Sequence, residues 1–334
     1  MDQQKDAAPQ VSVIIAAWRA ADRIGTAIAS ALSQTGVTVE VVVADDASPD
    51  GTAAVIAALA EGDGRIRPIY LPANAGPAAA RNRAIAAARG EWIAVLDADD
   101  RMVPRRLSRM VALAREKGAD CILGNLAEVD ADGMSLSDHP FAVTPEEPAP
   151  VTAEGFVAAN LAQAGPRRWG YLKPLIRRQA LADHALAYDE TLRNGEDFHL
   201  ILSLLLSGAR VWFSPDPDYL YTRRAGSVSD RIALSHLAAL LAADARVAAR
   251  LAQRPALAAL MRRRQAELSD LMTAETVLRA IRARQAGQAR RALAARPRAL
   301  GLVLRQAGEG ALRRLSRLRG RPRARHRDQS GLSP

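Results

Sequence analysis

Val11 to Ala17 is a short, almost continuous apolar run that ends in a polar break, and Ile24, Ile28, Ala31 and Leu32 then recur at helical spacing. A buried strand followed by a helix is predicted. The unit repeats. Val39 to Ala44 reads as a second strand, Asp50 is placed to cap a helix beginning at Gly51, Ile66 to Leu71 reads as a third strand, and Gly76 to Arg89 as an alanine-rich helix. Glu91 to Leu96 reads as a fourth strand that runs directly into Asp97, Asp99 and Asp100. Pro104 to Lys117 has the pattern of a helix with proline in its first turn and Gly118 as its stop, and Ala119 to Leu123 reads as a fifth strand. Strands and helices alternating at this length predict an α/β fold, a mostly parallel sheet with helices on both faces.

From Glu128 to Pro150 the pattern dissolves into an acidic and proline-rich stretch, read as an excursion over the surface. Ala153 to Ala164 looks helical, Tyr171 to Ile176 extended, and Glu196 to Leu206 is an amphipathic helix; Val211 to Phe213 and Tyr219 to Thr222 read as two further short strands. Beyond Ser235 the chain is alanine, leucine and arginine with helical period, interrupted at Pro255, Gly287, Pro297, Gly301 and Gly308 to Gly310. The expected organisation is a flexible N-terminus over 1–10, a catalytic domain over 11–232, an arginine-rich helical extension over 233–320 and a disordered tail over 321–334. No internal repeat is visible.

Charge sharpens that division. The formal net charge is +10, yet Arg246 to Arg327 alone holds 22 arginines, no lysine and four acidic residues, a net of +18, while Met1 to Ala245 is net −7. An acidic body with an anion-seeking appendage is implied. Aromatic residues are only 4% of the chain, too few for a nucleic-acid stacking platform. The single cysteine, Cys121, lies in an apolar run and reads as a buried thiol. The N-terminus lacks the basic region and longer apolar stretch of a signal peptide, and no run approaches the roughly 18 to 20 apolar residues that span a bilayer. A cytoplasmic protein, peripheral on the inner face of the membrane, is expected.

In an open parallel sheet ligands bind at the carboxyl ends of the strands. Here those ends are acidic: the second strand runs into Asp45 and Asp46, the fourth into Asp97, Asp99 and Asp100. Three carboxylates in four residues repel one another unless a positive group sits among them. A hard divalent cation, Mg²⁺ or Mn²⁺, shared with the diphosphate of a sugar nucleotide fits that need. There is no Gly-x-Gly-x-x-Gly after the first strand and no Gly-x-x-x-x-Gly-Lys-Ser/Thr anywhere, so dinucleotide and P-loop readings fall. His184, His199 and His236 show no zinc-ligand spacing with each other or with Cys121.

The segments Val11 to Trp18, Val43 to Thr52, Asn74 to Asn82, Val95 to Asp100 and Asn194 to Asp197 together resemble the ordered motifs of family 2 glycosyltransferases, over roughly Val11 to Ser229. Within that family the runs Leu172 to Arg178, Gly195 to Asp197 and Tyr221 to Ser229 look most similar to bacterial exopolysaccharide enzymes of the succinoglycan type. The resemblance implies a GT-A fold, an inverting mechanism and a nucleotide-diphospho-sugar donor. It places Ala16 and Trp18 at the donor, the latter where the family usually has tyrosine, lets Asp46 accept from the nucleobase imide, and sets Arg81 on the nucleotide side. Asp97 and Asp99 become the Asp-x-Asp metal motif with Asp100 in support, and Asp197 the general base. The residues themselves add that Asp197 begins a helix, whose amides would hold it ionised while Glu196 orients it, and that Arg223 and Arg224 suit a departing diphosphate.

The tail allows an amphipathic segment on anionic lipid, a solvated helical face or a nucleic-acid arm. Leu300, Leu302, Leu304, Leu312, Leu315 and Leu318 interleaved with Arg305, Arg313, Arg314, Arg317 and Arg319 favour the membrane surface, with no nucleic acid as partner. The expectation is transfer of a hexose, glucose from UDP-glucose, onto a polyprenyl-diphosphate-linked saccharide. A catalytically silent sugar-nucleotide-binding or membrane-scaffold protein is the rival.

Overall fold

The computed structural model describes residues 8–137, 139–142, 144–162, 168–223 and 233–308. Arg224, the segment to Ser229, the leucine and arginine positions beyond Gly308 and the expected 321–334 tail lie outside the described residues. The chain divides into two compact units, Met1–Glu267 and Leu268–Pro334.

The first unit is built on a nine-stranded sheet. Its strands are β1 (Val11–Ala17), β2 (Val39–Asp45), β3 (Ile66–Tyr70), β4 (Trp92–Val95), β5 (Arg101–Met102), β6 (Cys121–Val129), β7 (Ala149–Pro150), β8 (Lys173–Arg177) and β9 (Val211–Thr222), with spatial order β3-β2-β1-β4-β8-β6-β9-β5 and β7 beside β9. β3, β2, β1 and β4 are parallel, as the alternation predicts. Helices α1 (Ile24–Leu32), α2 (Thr52–Gly62), α3 (Pro77–Ala87) and α4 (Arg106–Lys117) follow in order. Ile14, Val42, Ile93 and Val95 meet Ala80 and Ala84 of α3 in one core, while Val13, Val41 and Trp92 share a larger core with Ile24, Ile28 and Ile56. Strands buried on both sides need the continuous apolar runs seen in the sequence.

Beyond β4 the sheet is mixed. β8 runs antiparallel to β4 and β6, whereas β9 is parallel to β6 and antiparallel to β5 and β7. Two elements are longer than their hydrophobic pattern. β6 continues past Leu123 because buried Asn125 is fully used: its amide donates to the carbonyls of Ala142 and Pro215, and its oxygen accepts from the Leu126 and Ala142 amides. β9 joins the two expected short strands across Pro215 and Pro217, with a shift of register against β6 between Gly124 and Leu126.

Helices α5 (Ala153–Ala158), α6 (Arg178–Asp183) and α7 (Glu196–Leu206), with a 3-10 turn at Trp169–Tyr171, complete the site-bearing part. α8 (Leu234–Ala248) and the start of α9 (Pro255–Arg282) belong to the same unit, and Leu251, Leu257 and Met261 enter its core. The arginine-rich extension read from Ala233 thus lends its first helices to the sheet-bearing body. The second unit has its own small core of Ala274, Val277, Leu278, Ala280, Ala289 and Val303. Gly287, expected as a break, lies inside α10 (Ala286–Ala295), near its first turn.

Candidate active site

The carboxyl ends of β2, β1 and β4 lie side by side, so Asp46, Ala16 and Asp97 come to one edge of the sheet. Asp46 is buried, and its carboxylate accepts from Asn74 Nδ2 at 2.9 Å, the Ala75 amide at 2.7 Å and the Gly76 amide at 2.8 Å. It therefore holds the turn that precedes α3. Gly76 has φ 97°, and a Cβ there would stand 2.8 Å from the Arg193 side chain, which lies across the turn and donates to Asn74 Oδ1 at 2.6 Å. Ala16 is partly exposed near the end of β1, and Trp18 just beyond it is 46% exposed with the Arg19 guanidinium 4.6 Å over its ring. Asp45 Oδ1 is buried without a hydrogen-bond partner.

Two strand positions from Asp46, a distance of about 10 Å, Asp97 enters a dense ionic cluster. Arg81 of α3 donates to Asp97 Oδ1 at 2.8 Å and Glu196 Oε1 at 2.5 Å, and its guanidinium is 3.6 Å from Asp197 Oδ1. Lys173, the first residue of β8 and 4% exposed, places Nζ 2.8 Å from Asp97 Oδ2 and 3.2 Å from Asp197 Oδ2. Tyr188 donates its hydroxyl to Asp197 Oδ1 at 3.0 Å. Asn82, next to Arg81, pins the Tyr188 backbone in both directions, donating to its carbonyl and accepting from its amide at 2.9 Å each. Asp197 sits in the first turn of α7, which starts after Gly195 at φ 76°; a Cβ at Gly195 would approach Leu240 of α8 to 2.7 Å.

The electrostatics follow from this packing. Burial by itself would raise the Asp97 carboxyl, but Lys173 and Arg81 outweigh it and hold the group well below the usual carboxylate range. Asp197 is lowered in the same way, burial being overcome by Arg81 and Lys173. The two cations, rather than the helix amides expected from sequence, are its main stabilisers, and Glu196 turns to Arg81 instead of orienting Asp197. Asp100 faces the other way: buried, it accepts from Tyr219 Oη at 2.8 Å and the Thr222 amide at 2.8 Å. Burial and the neighbouring Asp97 and Asp99 push its carboxyl well above the usual range. Tyr219 Oη also accepts from the Asp97 amide at 3.0 Å. Asp99 is partly exposed between them.

Three carboxylates, Asp97, Glu196 and Asp197, thus meet two buried cations, Arg81 and Lys173, with Asp99 and Asp100 beside Asp97 in the chain. That excess fits a divalent cation. Among the described residues no three His, Cys, Asp or Glu side chains converge to enclose one, so Asp97 and Asp99 would hold it together with oxygens of a diphosphate, the arrangement Mg²⁺ prefers. The Arg223 guanidinium pairs with Glu128 at 3.5 Å.

Lys173 and Tyr188 escaped the sequence reading. The signal for Lys173 was a single charge inside the apolar run Leu172 to Ile176; Tyr188 had none. A cavity of about 460 Å³ lined by Arg89, Glu91, Arg177 and Arg178 lies at the opposite ends of the strands, where Arg89 and Arg177 are committed to Glu40 and Asp120.

Comparison with known proteins agrees with this geometry. Residues 12–161 match the family model described as glycosyl transferase family 2. The succinoglycan biosynthesis protein ExoO of Rhizobium meliloti is 44% identical over 72% of this chain and 68% of its own length, and ExoU of the same organism 41% identical over 67% and 65%. Among solved structures, S. aureus TarS 1-349 in complex with UDP-GlcNAc superposes with a TM-score of 0.62 at 20% identity, covering 85% of this chain and 90% of that one. The mannosyltransferase PcManGT of Pyrobaculum calidifontis, in complex with GDP-Man and Mn²⁺, gives 0.56 at 17% identity, covering 92% and 81%. With strand-end carboxylates on a GT-A sheet and this identity spread over two thirds of the chain, the protein belongs to glycosyltransferase family 2 and is a glycosyltransferase.

Proposed function

We propose that this enzyme transfers a hexose, glucose from UDP-glucose, with inversion onto a lipid-linked saccharide in the synthesis of an exopolysaccharide. The observation that carries the reading is the cluster in which Lys173 Nζ lies 2.8 Å from Asp97 and 3.2 Å from Asp197, joining a donor-side carboxylate to a candidate base. The exopolysaccharide assignment is drawn from the two Rhizobium relatives.

In this mechanism Trp18 offers a flat face to the nucleobase, Ala16 leaves room at the end of β1, and Asp46 and the orphaned Asp45 Oδ1 are acceptors for its polar groups. Asp97 and Asp99, with Asp100 behind them, would hold the divalent cation. When bound, that cation supplies positive charge against the leaving diphosphate. Asp197 accepts the proton of the acceptor hydroxyl as its oxygen bonds to the anomeric carbon. The bond from that carbon to the diphosphate breaks on the opposite face, its electron pair leaving with the nucleoside diphosphate. Arg81 and Lys173 keep Asp197 ionised until the proton arrives. Arg223 and Arg224 take the departing diphosphate as it leaves. The intact carboxylate set weighs against the silent scaffold. Purified protein is incubated with a panel of nucleotide sugars and Mn²⁺; release of UDP from UDP-glucose above all others is expected, and release from none would refute the reading.

The basic extension supports attachment to anionic lipid. None of the described helices is long and apolar enough to cross a membrane, but Ile281, Leu300 and Leu304 are exposed among Arg279, Arg282, Arg298 and Arg305. Each basic side chain near such a surface contributes about 1 kcal/mol. Removing Arg290 to Pro334 is expected to release the protein from anionic vesicles in co-sedimentation; equal binding of both forms would overturn this part.

A further inference from the structure

We infer that Tyr171 and Tyr221 form an aromatic floor on which the sugar ring of the acceptor stacks while its hydroxyl meets Asp197. The inference deepens the glycosyltransferase reading and rests on it, naming the residues that recognise the acceptor saccharide.

The placement comes from both halves of the cluster. Residues two apart on a strand share a face, so Tyr221 continues the face from which Tyr219 reaches the Asp97 amide and the Asp100 carboxylate, about 7 Å further along β9. The amide of the next residue, Thr222, donates to Asp100 at 2.8 Å. Tyr171 arrives from the base side. It closes the 3-10 turn Trp169–Tyr171, two residues before Lys173. That turn packs on the start of α7: the Gly170 amide donates to Asn160 Oδ1 at 2.8 Å, and a Cβ on Gly170 would be 3.5 Å from Cβ of Phe198, the neighbour of Asp197. Tyr171 and Tyr221 then meet edge to face, centroids 6.2 Å apart at 75°, so the pair links the segment that leads to Lys173 with the strand that holds Asp100.

The rings are held, and part of each is exposed. Phe141, buried behind them, packs edge-on against Tyr171 at 5.9 Å, and its amide donates to the Leu126 carbonyl, fixing the support to β6. Tyr171 is 36% exposed and Tyr221 is half-buried. Beyond them, the turn after β6 exposes Met134 and Leu136 on a segment that bridges back from Ser135 to Val129, itself paired with Thr222. In a chain with only 4% aromatic residues, two partly exposed tyrosines in contact beside one carboxylate cluster ask for a ligand. A pyranose offers an apolar C–H face to a ring and hydroxyls to phenol oxygens, and tyrosine has both the flat surface and the polar tip.

The test uses full-length protein with UDP-glucose, Mn²⁺ and a panel of octyl glycosides (glucoside, galactoside, mannoside and cellobioside), carrying the acceptor with the lowest KM to the variants. For Tyr171→Ala and Tyr221→Ala the expected result is an acceptor KM raised about tenfold, the size of one aromatic contact, with the ratio of transfer to donor hydrolysis falling at low acceptor. Tyr171→Phe, which keeps the ring, is expected to recover most of that loss. Thermal melts and UDP calorimetry establish that each variant is folded with its donor half formed. An unchanged acceptor KM in both alanine variants, or a donor hydrolysis that falls in step with transfer, overturns the floor. Donor hydrolysis with transfer to none of the glycosides overturns the saccharide class. A wild-type protein that releases no nucleoside diphosphate defeats the enzyme reading itself, and this inference with it.

Discussion

Two buried ionic clusters lie on this sheet and differ in charge balance. At one, Arg106 of α4 is 2% exposed, pairs with buried Asp218, and donates to the carbonyls of Asn125 at 3.1 Å and Lys173 at 2.9 Å. Exposed Arg109 reaches the other Asp218 oxygen at 3.0 Å and Asp216 at 3.8 Å, so two arginines face two aspartates. Every charge there has its partner within the protein. Even Gly124 is required, because a Cβ at that position would collide with the Arg106 guanidinium. At the other, Arg81 and Lys173 face three carboxylates, Asp97, Glu196 and Asp197, and the adjacent Asp100 is pushed well above its usual range by burial and like charge. A balanced cluster fastens strands together; an unbalanced one waits for positive charge and protons from a ligand. The two meet at Lys173, whose carbonyl belongs to the first and whose ammonium belongs to the second.

The comparison breaks most readily at Arg106. Arg106→Met leaves Asp218 a buried charge without its main partner, and a stability loss of about 3–5 kcal/mol in urea unfolding is expected. A loss below about 1 kcal/mol would show that this cluster does not fasten the fold. Asp197→Asn should do the reverse: the amide fills the same space but accepts no proton, so transfer falls about 10²-fold or more while UDP calorimetry is preserved. A variant that transfers at the wild-type rate would reduce Asp197 to a helix-terminal residue.

Lys173→Met sharpens the contrast, since Asp97 and Asp197 both keep Arg81 after the ammonium is gone. Its expected cost in urea is about 1–3 kcal/mol, less than that of Arg106→Met. An equal or greater loss would make the two clusters alike. The smallest effect concerns Glu40, at the far end of the strands. Burial raises its carboxyl, but the Ser12 hydroxyl and Arg89 lower it further, so its folded pKa lies below the unfolded one. Its stabilisation is then complete above the unfolded value and is lost as pH falls through the folded one. Melting temperatures of wild type and Glu40→Gln are expected to differ at pH 7 and to converge toward pH 3; a gap that widens on acidification would reverse the sign.

How much was legible in the sequence differs from element to element. Val11 to Ala17 and Val39 to Ala44 were readable because a strand buried on both faces must be apolar at nearly every position, Ser12 and Glu40 being the exceptions that bond each other at 2.6 Å. Asp46, Asp97 and Asp197 were readable as candidates because strand ends and helix starts are where an α/β sheet presents its chemistry, and the family motifs matched them. The hydrophobic pattern covers only part of β6 and β9, since Asn125, Pro215 and Pro217 look like breaks in the sequence and Asn125 and Pro215 find their hydrogen-bond partners only in the fold. Lys173 and Tyr188 carry no such mark, because neither a lysine in an apolar run nor a tyrosine in a loop declares its partner.

The sequence by itself determined the alternation of strands and helices, the parallel first half of the sheet, the acidic strand ends and the basic extension, all of which follow from periodicity and charge along the chain. Only the tertiary structure decided the directions of β8 and β9, the inward turn of Asp100, and the meeting of Arg81, Lys173 and Tyr188 on Asp97 and Asp197. The physical reason is range. Hydrophobic period is a local property of neighbouring residues, whereas Arg81 finds Glu196 across 115 positions of chain, and such a pairing exists only once the core has packed and water has been excluded from between the charges.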